Sequence, residues 1–253
     1  MIKPSTPTLR LALYASLCCS LLLPGCAFWT TEAPQEKPQQ VLRQLPSQFS
    51  AQDISQWQTT RLPGKLLTAY RVAPQGPRDA LLAEAASSAS MLRQALHISP
   101  SQLGALQFDW RVDQLIAGAD MRLREAEDSP VRLILVFEGD RQRFSMQNQL
   151  LSELTLSLTG EPMPYATLMY VWCNDCPAET VIVNPRTDRI RKLAIESGAG
   201  RVGQWLSYRR NIRADFEKAF GEPPGALLGL AIMTDTDNTR STTRAWYGAI
   251  RLE

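Results

Sequence analysis

The chain of 253 residues has little of the chemistry that most enzyme families need. His97 is the only histidine, and it lies in an apolar segment with no nucleophile motif nearby, which disfavours a hydrolase triad and predicts a surface or strand-edge position. No glycine-rich nucleotide-binding motif is present. The 27 Lys and Arg residues nearly balance the 25 Asp and Glu residues, so the net charge of +2 gives no electrostatic basis for binding nucleic acid.

Long apolar runs are also scarce. The run Leu11–Leu23 is too short to span a bilayer comfortably and follows basic residues, which predicts a cleaved export signal over residues 1–25. Its ending, Leu23-Pro-Gly-Cys26, resembles the lipobox of bacterial lipoproteins, which implies that Cys26 is acylated and becomes the mature N-terminus. Ala27 in place of Asp resembles lipoproteins sorted to the outer membrane. The alternative is an ordinary secretory signal that releases the protein into the periplasm.

The residues after the anchor predict one domain on a tether. Thr30–Gln40 is rich in Pro and Gln and poor in apolar residues, as flexible linkers are. We therefore assign residues 26–45 to the lipidated cysteine and its tether, and residues 46–253 to a single domain. The expected location is the cell envelope, with the membrane contacted through the lipid.

Cysteine is equally scarce in that domain. Two of the five cysteines lie in the signal and Cys26 would carry lipid, which leaves Cys173 and Cys176. In an oxidising periplasm this pair is expected to form a disulfide. The pair lies between two strand-like runs, so a bridge across a turn is favoured over a redox Cys-x-x-Cys, which normally opens a helix. A zinc site would need more ligands than one cysteine pair and one histidine.

Strand patterns dominate the domain. Apolar and polar residues alternate in Leu106–Val112, as in a half-buried strand. Val131–Phe137 and Leu227–Met233 are apolar on both faces, as central strands are. Ser90–Ile98 fits either a strand or a helix. Further strands are predicted at Lys65–Val72, Ala80–Ala85, Ala166–Trp172, Thr180–Val183, Ile190–Ile195 and Thr242–Leu252.

Two short helices are predicted among these strands. Arg143–Leu158 is weakly patterned. Asn211–Phe220 is the clearer one, because Asn211 can cap its N-terminus and Gly221 can end it. Many strands with few helices predict a mainly β fold, a jelly-roll-like β-sandwich.

Several motifs follow one another in an order that resembles a known family. They are Phe108-Asp-Trp-Arg-Val112, Arg132–Phe137, Tyr170-Val-Trp172, Trp205 with Arg210-Asn-Ile212, Ile232-Met-Thr-Asp-Thr-Asp-Asn-Thr239 and Ala245-Trp-Tyr-Gly-Ala-Ile250. Together they resemble domain-of-unknown-function family 3047, a group of exported bacterial proteins, from about Phe49 to Leu252. The family has no established activity, so the resemblance implies no catalytic residue. Its general appearance is similar to galactose-binding-like and carbohydrate-binding jelly rolls, and the cysteine pair departs from its pattern.

The best candidate site is the loop that holds Asp235, Asp237 and Asn238, because it follows an apolar strand and gathers oxygen ligands. Such loops can hold Ca²⁺, so Asp235 and Asp237 are candidate metal ligands. The alternative is a turn in which the Asp and Asn side chains bind their own backbone. If the acidic run Glu125, Glu127 and Asp128 met this loop, the two could supply a carboxylate pair for glycoside chemistry.

Aromatic and basic side chains offer a second route to ligand binding. Trp246 and Tyr247 point to opposite faces of a predicted strand, so one is expected in the core and the other outward, where a sugar could stack on it. Arg210 belongs to a basic cluster near a helix start and could recognise an anionic glycan.

We therefore expect a non-catalytic binding module, with an envelope polysaccharide as its ligand, no cofactor, and Ca²⁺ as an optional metal. The alternatives are a carboxylate-dependent glycan hydrolase or lyase, and an assembly factor that binds another envelope protein.

Overall fold

A computed structural model describes residues 51–253 of the chain, with side chains from Ile54 onward. The predicted export signal, the lipidated Cys26, the tether and the first residues of the predicted domain lie outside these residues and stay predictions. Within the described part, no helix is long and apolar enough to cross a membrane.

The described residues form twelve strands and two α-helices, and the strands are divided between two sheets. The strands are β1 (Gln58–Arg61), β2 (Ala69–Gln75), β3 (Arg78–Ala86), β4 (Ala89–Ile98), β5 (Ala105–Val112), β6 (Ser129–Phe137), β7 (Ala166–Cys173), β8 (Val181–Asn184), β9 (Thr187–Ser197), β10 (Leu206–Asn211), β11 (Leu227–Asp235) and β12 (Thr242–Leu252). The helices are α1 (Met146–Thr159) and α2 (Ile212–Phe220). Short 3₁₀ turns lie at Ala51–Gln56, Pro100–Gln102 and Arg141–Arg143.

The two sheets make a β-sandwich. One sheet has seven strands in the order β1-β4-β11-β6-β7-β9-β8, and the other has five in the order β10-β5-β12-β3-β2. The pairs are antiparallel except β7 with β9, which run parallel. The chain passes from one sheet to the other seven times, between β1 and β2, β3 and β4, β4 and β5, β5 and β6, β9 and β10, β10 and β11, and β11 and β12. This repeated crossing is the jelly-roll-like arrangement, so the predicted fold class is confirmed.

The main core lies between the sheets and follows from the alternation in the strands. Leu106, Phe108, Trp110 and Val112 of β5 are all buried in it. The central strands β6 and β11 are buried on both faces, which explains their continuous apolar sequence. Trp172, whose indole N–H donates to the Gly198 carbonyl at 3.0 Å, is also in this core.

Two strands were not predicted from the sequence, and a third began later than predicted. β1 and β10 are short strands at sheet edges and carry mostly polar residues, so neither shows an apolar pattern. The predicted strand Lys65–Val72 is observed at Ala69–Gln75, where it tolerates Pro74 because β2 is an edge strand. The ambiguous segment Ser90–Ile98 is a strand, paired with β1 and β11.

Both predicted helices are present. Asn211 caps α2 by accepting the Ala214 N–H at 3.1 Å, and Gly221 ends the helix in the left-handed region at φ 72°, which glycine adopts without strain. Ile212 and Phe216 bury one face of α2 in the core. α1 starts after Ser145, three residues later than predicted, and Asn148 is its only buried residue.

The predicted disulfide joins Cys173, at the end of β7, to Cys176 in the following loop. Both cysteines lie in a small cluster on the outer side of the seven-stranded sheet with Met121, Val171 and Ile182. The bridge therefore crosses a turn, as the strand-like flanks indicated.

Replacing Cys173 and Cys176 together with Ala should lower the free energy of unfolding by only about 2 kcal/mol, because a bridge over three residues restricts the unfolded chain little. Guanidinium unfolding of the oxidised wild type, the reduced wild type and the variant would measure this. A wild type that, once unfolded without reductant, reacts with a thiol reagent at both positions would show that the bridge is absent.

Candidate functional site

Two loops meet at one end of the seven-stranded sheet. Asp128 ends the loop before β6, Asp235 ends β11, and Asp237 follows two residues later. One carboxylate oxygen of each lies within 4.8 Å of the others. The sequence left open whether the two acidic segments meet, and they do so through Asp128. We call these three residues the carboxylate corner.

Asp235 is committed to a buried ion pair. Its two oxygens accept hydrogen bonds from Nε and Nη2 of Arg132, each at 2.9 Å, and Oδ1 also accepts the Ser129 N–H at 3.1 Å. Both side chains are almost completely buried. Burial raises the pKa of Asp235 to about 6, although the positive charge of Arg132 opposes that rise.

Asp128 holds the loop after β11 in place. Its carboxylate accepts the Asn238 N–H at 3.2 Å, the Thr239 N–H at 2.7 Å and the Thr239 hydroxyl at 2.6 Å. Asp237 pairs with Lys65. The oxygens of the carboxylate corner therefore bind protein donors, which favours a structural turn. The Ca²⁺ site expected from the sequence at Asp235 and Asp237 remains untested.

A second buried ion pair fixes the loop that leads to Asp128. Lys192, fully buried on the outer side of β9, donates to Glu127 Oε1 at 2.7 Å and to the Met121 carbonyl at 2.7 Å. Asn184 donates to the same Glu127 oxygen at 2.8 Å. Burial lowers the pKa of Lys192 to about 8. These contacts hold residues 113–128 against the outer face of the seven-stranded sheet.

Trp246 and Tyr247 point to opposite faces of β12, as predicted. Tyr247 lies in the core, where its hydroxyl donates to the Met233 carbonyl at 2.6 Å. Trp246 lies on the outer face of the five-stranded sheet but is only 6% exposed. It packs against Leu82, against an alanine each from β2 and β3, and against Trp205. The outward indole is therefore largely covered.

Trp205 is the more accessible indole on that outer face. Its ring is partly exposed and lies under the guanidinium of Arg78, whose Cζ is 4.7 Å from the ring centroid. Asp109 is 3.6 Å from Arg78. Asp113 accepts from Arg244 at 2.7 Å and lies 3.1 Å from Arg111. We call Trp205, Trp246, Arg78, Asp109 and Asp113 the indole face.

Arg210 forms a separate cluster with partners of its own. It donates to both oxygens of Asp215, at 2.9 and 2.7 Å, and to both oxygens of Glu179, at 2.7 and 3.1 Å. Hydrogen bonds from Arg210 lower the pKa of Glu179 to about 2. The donors of Arg210 are thus engaged within the protein, and the predicted role of Arg210 in ligand binding stays a prediction.

The structure thus places the predicted site residues in different regions. Asp235 and Asp237 belong to the carboxylate corner, and Asn238 donates its N–H to Asp128 there. Trp246 lies on the indole face, Tyr247 in the core, and Arg210 beside α2. His97 is exposed, as predicted, beside an open depression of about 520 Å³ that also borders Glu138 and Asp140.

Sequence reasoning missed the partners that define these regions. Arg132 could have been noticed, because it is a single charge inside the apolar run Val131–Phe137. Lys192 had no comparable signal, since Arg191 precedes it in a strand with several charged residues. Arg78, Asp109 and Asp113 had none, since charged residues on the solvent side of a strand are ordinary.

The family model described as "Protein of unknown function (DUF3047)" matches residues 55–251 of the chain. The match covers almost all of the described residues. No curated protein matches the chain.

Three solved structures with similar folds come from carbohydrate-active proteins. A family 11 carbohydrate-binding module from Clostridium thermocellum, in complex with a mixed-linked tetrasaccharide, is 8% identical, with 78% of this chain and 88% of that chain covered and a TM-score of 0.36. Endoglucanase 3 of Trichoderma harzianum, from family GH12, is 7% identical, with 81% and 88% covered and a TM-score of 0.39. A cellulase derived from Cel12A of Rhodothermus marinus is 10% identical, with 78% and 97% covered and a TM-score of 0.38. Scores at this level assign no function to the chain.

Replacing Asp235 with Asn should destabilise the fold by about 3 to 5 kcal/mol, because it leaves the buried Arg132 without its counter-charge. A double variant, Arg132→Met with Asp235→Leu, should cost less, since it buries no unpaired charge. Urea unfolding of the three proteins would measure this. Equal loss in the single and double variants would contradict the ion-pair explanation.

Calcium should leave the melting temperature unchanged, because protein donors already bind the oxygens of the carboxylate corner. Differential scanning fluorimetry with millimolar CaCl₂ or with EDTA would test this. A rise in melting temperature with Ca²⁺ in the wild type that is absent in Asp237→Asn would instead place a metal at this corner.

Proposed function

The chain belongs to the DUF3047 family of proteins of unknown function, and on that premise we propose that it is a non-catalytic glycan-binding module of the cell envelope. The observation that carries the proposal is the indole face, where Trp205 presents a partly exposed ring among paired Arg and Asp side chains.

Trp205 is suited to receive a sugar ring. A flat indole packs favourably against the C–H-rich face of a pyranose, because both surfaces are apolar and planar. In the free protein the guanidinium of Arg78 occupies this ring face. The Arg78 side chain is 47% exposed, so it can move aside or remain to hydrogen-bond the bound sugar. A sugar ring can therefore stack on the face of Trp205 that Arg78 covers in the free protein.

Gly248 makes room for this arrangement. A Cβ built at residue 248 would lie 2.8 Å from Cβ of Asp109 and 3.4 Å from the Trp205 ring. Any larger residue would therefore displace one of them. The close approach brings the Asp109 carboxylate beside the indole, where it can accept hydrogen bonds from sugar hydroxyls.

The ion pairs on the same face supply polar contacts. Asp113 is held between Arg111 and Arg244, and the Trp246 indole N–H donates to it at 3.4 Å. Guanidinium and carboxylate groups fixed in this way offer donors and acceptors in set directions. The indole face thus combines an apolar platform with oriented polar groups, as sites for neutral sugars require.

The carboxylate corner supports a non-catalytic function. Glycosidases place two carboxyl groups about 5 to 9.5 Å apart across a cleft that admits the substrate. Here Asp235 and Asp128 are buried and bound to N–H donors, and Asp237 pairs with Lys65. These carboxylates act as supports for the two loops.

We also propose that the protein is a lipoprotein anchored through Cys26 and that its ligand is an envelope polysaccharide. The proposal rests on the lipobox-like sequence before Cys26 and on the linker composition that follows it. An anchor of this kind would hold the indole face near glycans at the membrane.

Trp205→Ala should weaken glycan binding at least tenfold, because it removes the stacking surface while leaving the sheet intact. Affinity gel electrophoresis against a panel of soluble polysaccharides would find the ligand, and titration calorimetry would give the dissociation constants. His97→Ala is the matched control, since it removes an exposed ring on the other sheet.

Two results would contradict the proposal. If the wild type binds a glycan and Trp205→Ala binds it equally well, the indole face is not the site. If the wild type releases new reducing ends from any panel member, and a heat-denatured sample does not, the protein is catalytic.

A further inference from the structure

The outer face of the five-stranded sheet has more arginines than carboxylates to pair with them. The side-chain carboxylates that point to this face are all in ion pairs: Glu84 with Arg71, Asp109 with Arg78, Glu253 with Arg209, and Asp113 with both Arg111 and Arg244. Arg251 is the arginine left over. Among the described residues it has no ion-pair partner, and its Nε is shielded from water without a hydrogen-bond acceptor.

Arg251 points to the outer face because the residues on either side of it in β12 pack toward the main core. It is paired across the sheet with Gln107 of β5, which is paired in turn with Arg209 of β10. Gln107 and Arg209 both donate to the side chain of Glu253. That carboxylate therefore serves other donors, and the partly exposed Arg251 keeps an uncompensated positive charge.

This charge lies close to the stacking position on Trp205. A Cβ at Gly248 would touch both Asp109 and the Trp205 ring, so these three residues meet at one point of the sheet. Gln107, the neighbour of Arg251 across the sheet, is two residues from Asp109 on the same strand, which is about 7 Å. A sugar chain that stacks on Trp205 and extends along β5 therefore brings its next unit beside Arg251.

We propose that the glycan bound by the indole face is acidic, and that Arg251 binds a carboxylate on the sugar unit next to the one that stacks on Trp205. The inference rests on the proposed function and names the ligand class of the same site. The stacked unit itself is neutral, because the indole receives an apolar ring face. A guanidinium binds a carboxylate through charge-assisted hydrogen bonds, which are roughly twice as strong as those to a neutral hydroxyl.

Affinity gel electrophoresis of the purified protein, expressed as the full chain, tests the proposal. The gels contain hyaluronate, heparosan or gellan, in each of which a glucuronate has neutral sugars on both sides. Each polymer is also used after its carboxylates have been reduced to alcohols, which leaves the backbone unchanged. We expect at least one acidic polymer to bind the wild type about fivefold more tightly than its reduced form, the scale of one partly exposed ion pair.

Two arginine variants separate Arg251 from the general charge of the face. Arg251→Gln should abolish the preference for the acidic polymer, while the melting temperature stays unchanged because Arg251 has no partner to lose. Arg71→Gln is the matched control, since it removes the same charge from the same face on the edge strand β2. It should keep the preference.

The outcomes distinguish this inference from the proposed function. Equal binding of the acidic and reduced polymers, with both lost in Trp205→Ala, would overturn the acidic ligand and leave the glycan site in place. Equal loss of the preference in Arg251→Gln and Arg71→Gln would overturn the role of Arg251. Retardation by phosphorylated mannan alone, or by none of the acidic polymers, would overturn the carboxylate. Binding of an acidic polymer that Trp205→Ala leaves unchanged would contradict the proposed site itself.

Discussion

The buried ion pair between Arg132 and Asp235 lies at one end of the seven-stranded sheet, where the loop before β6 meets the loop after β11. It joins the neighbouring strands β6 and β11, and Arg132 also donates to the Glu127 carbonyl at 2.6 Å. Tyr247 of the other sheet reaches the same point and lies 2.9 Å from the Thr234 hydroxyl. Because each charge is shielded from water, each depends on its partner, and the loop positions depend on both.

This arrangement leaves the proposed glycan site on the outer face of the five-stranded sheet. The loop before β6 covers part of the seven-stranded sheet, and the buried pair of Lys192 with Glu127 holds it there. Acidic residues that could have served catalysis instead hold the backbone of the two loops in position. On the outer face of the five-stranded sheet, Trp205 is partly exposed under the guanidinium of Arg78.

The two helices differ in how much of their apolar surface is buried. α2 buries Ile212 and Phe216, which explains its clear apolar stripe. α1 has leucines at positions that point both inward and outward, so its pattern in the sequence is weak. That weakness reflects the large apolar side chains of α1 that lie outside the core.

The sequence by itself determined the two-sheet fold, the central strands, both helices and the disulfide, because each depends on local periodicity, capping or spacing. The sequence did not indicate the edge strands β1 and β10, since short polar strands are defined only by their hydrogen-bonded neighbours. Only the tertiary structure decided that Asp235 pairs with Arg132, that Trp246 is covered while Trp205 is accessible, and that Arg210 serves Asp215 and Glu179. Most of those outcomes depend on contacts between residues far apart in the chain, and residue type alone does not specify which residue becomes the partner.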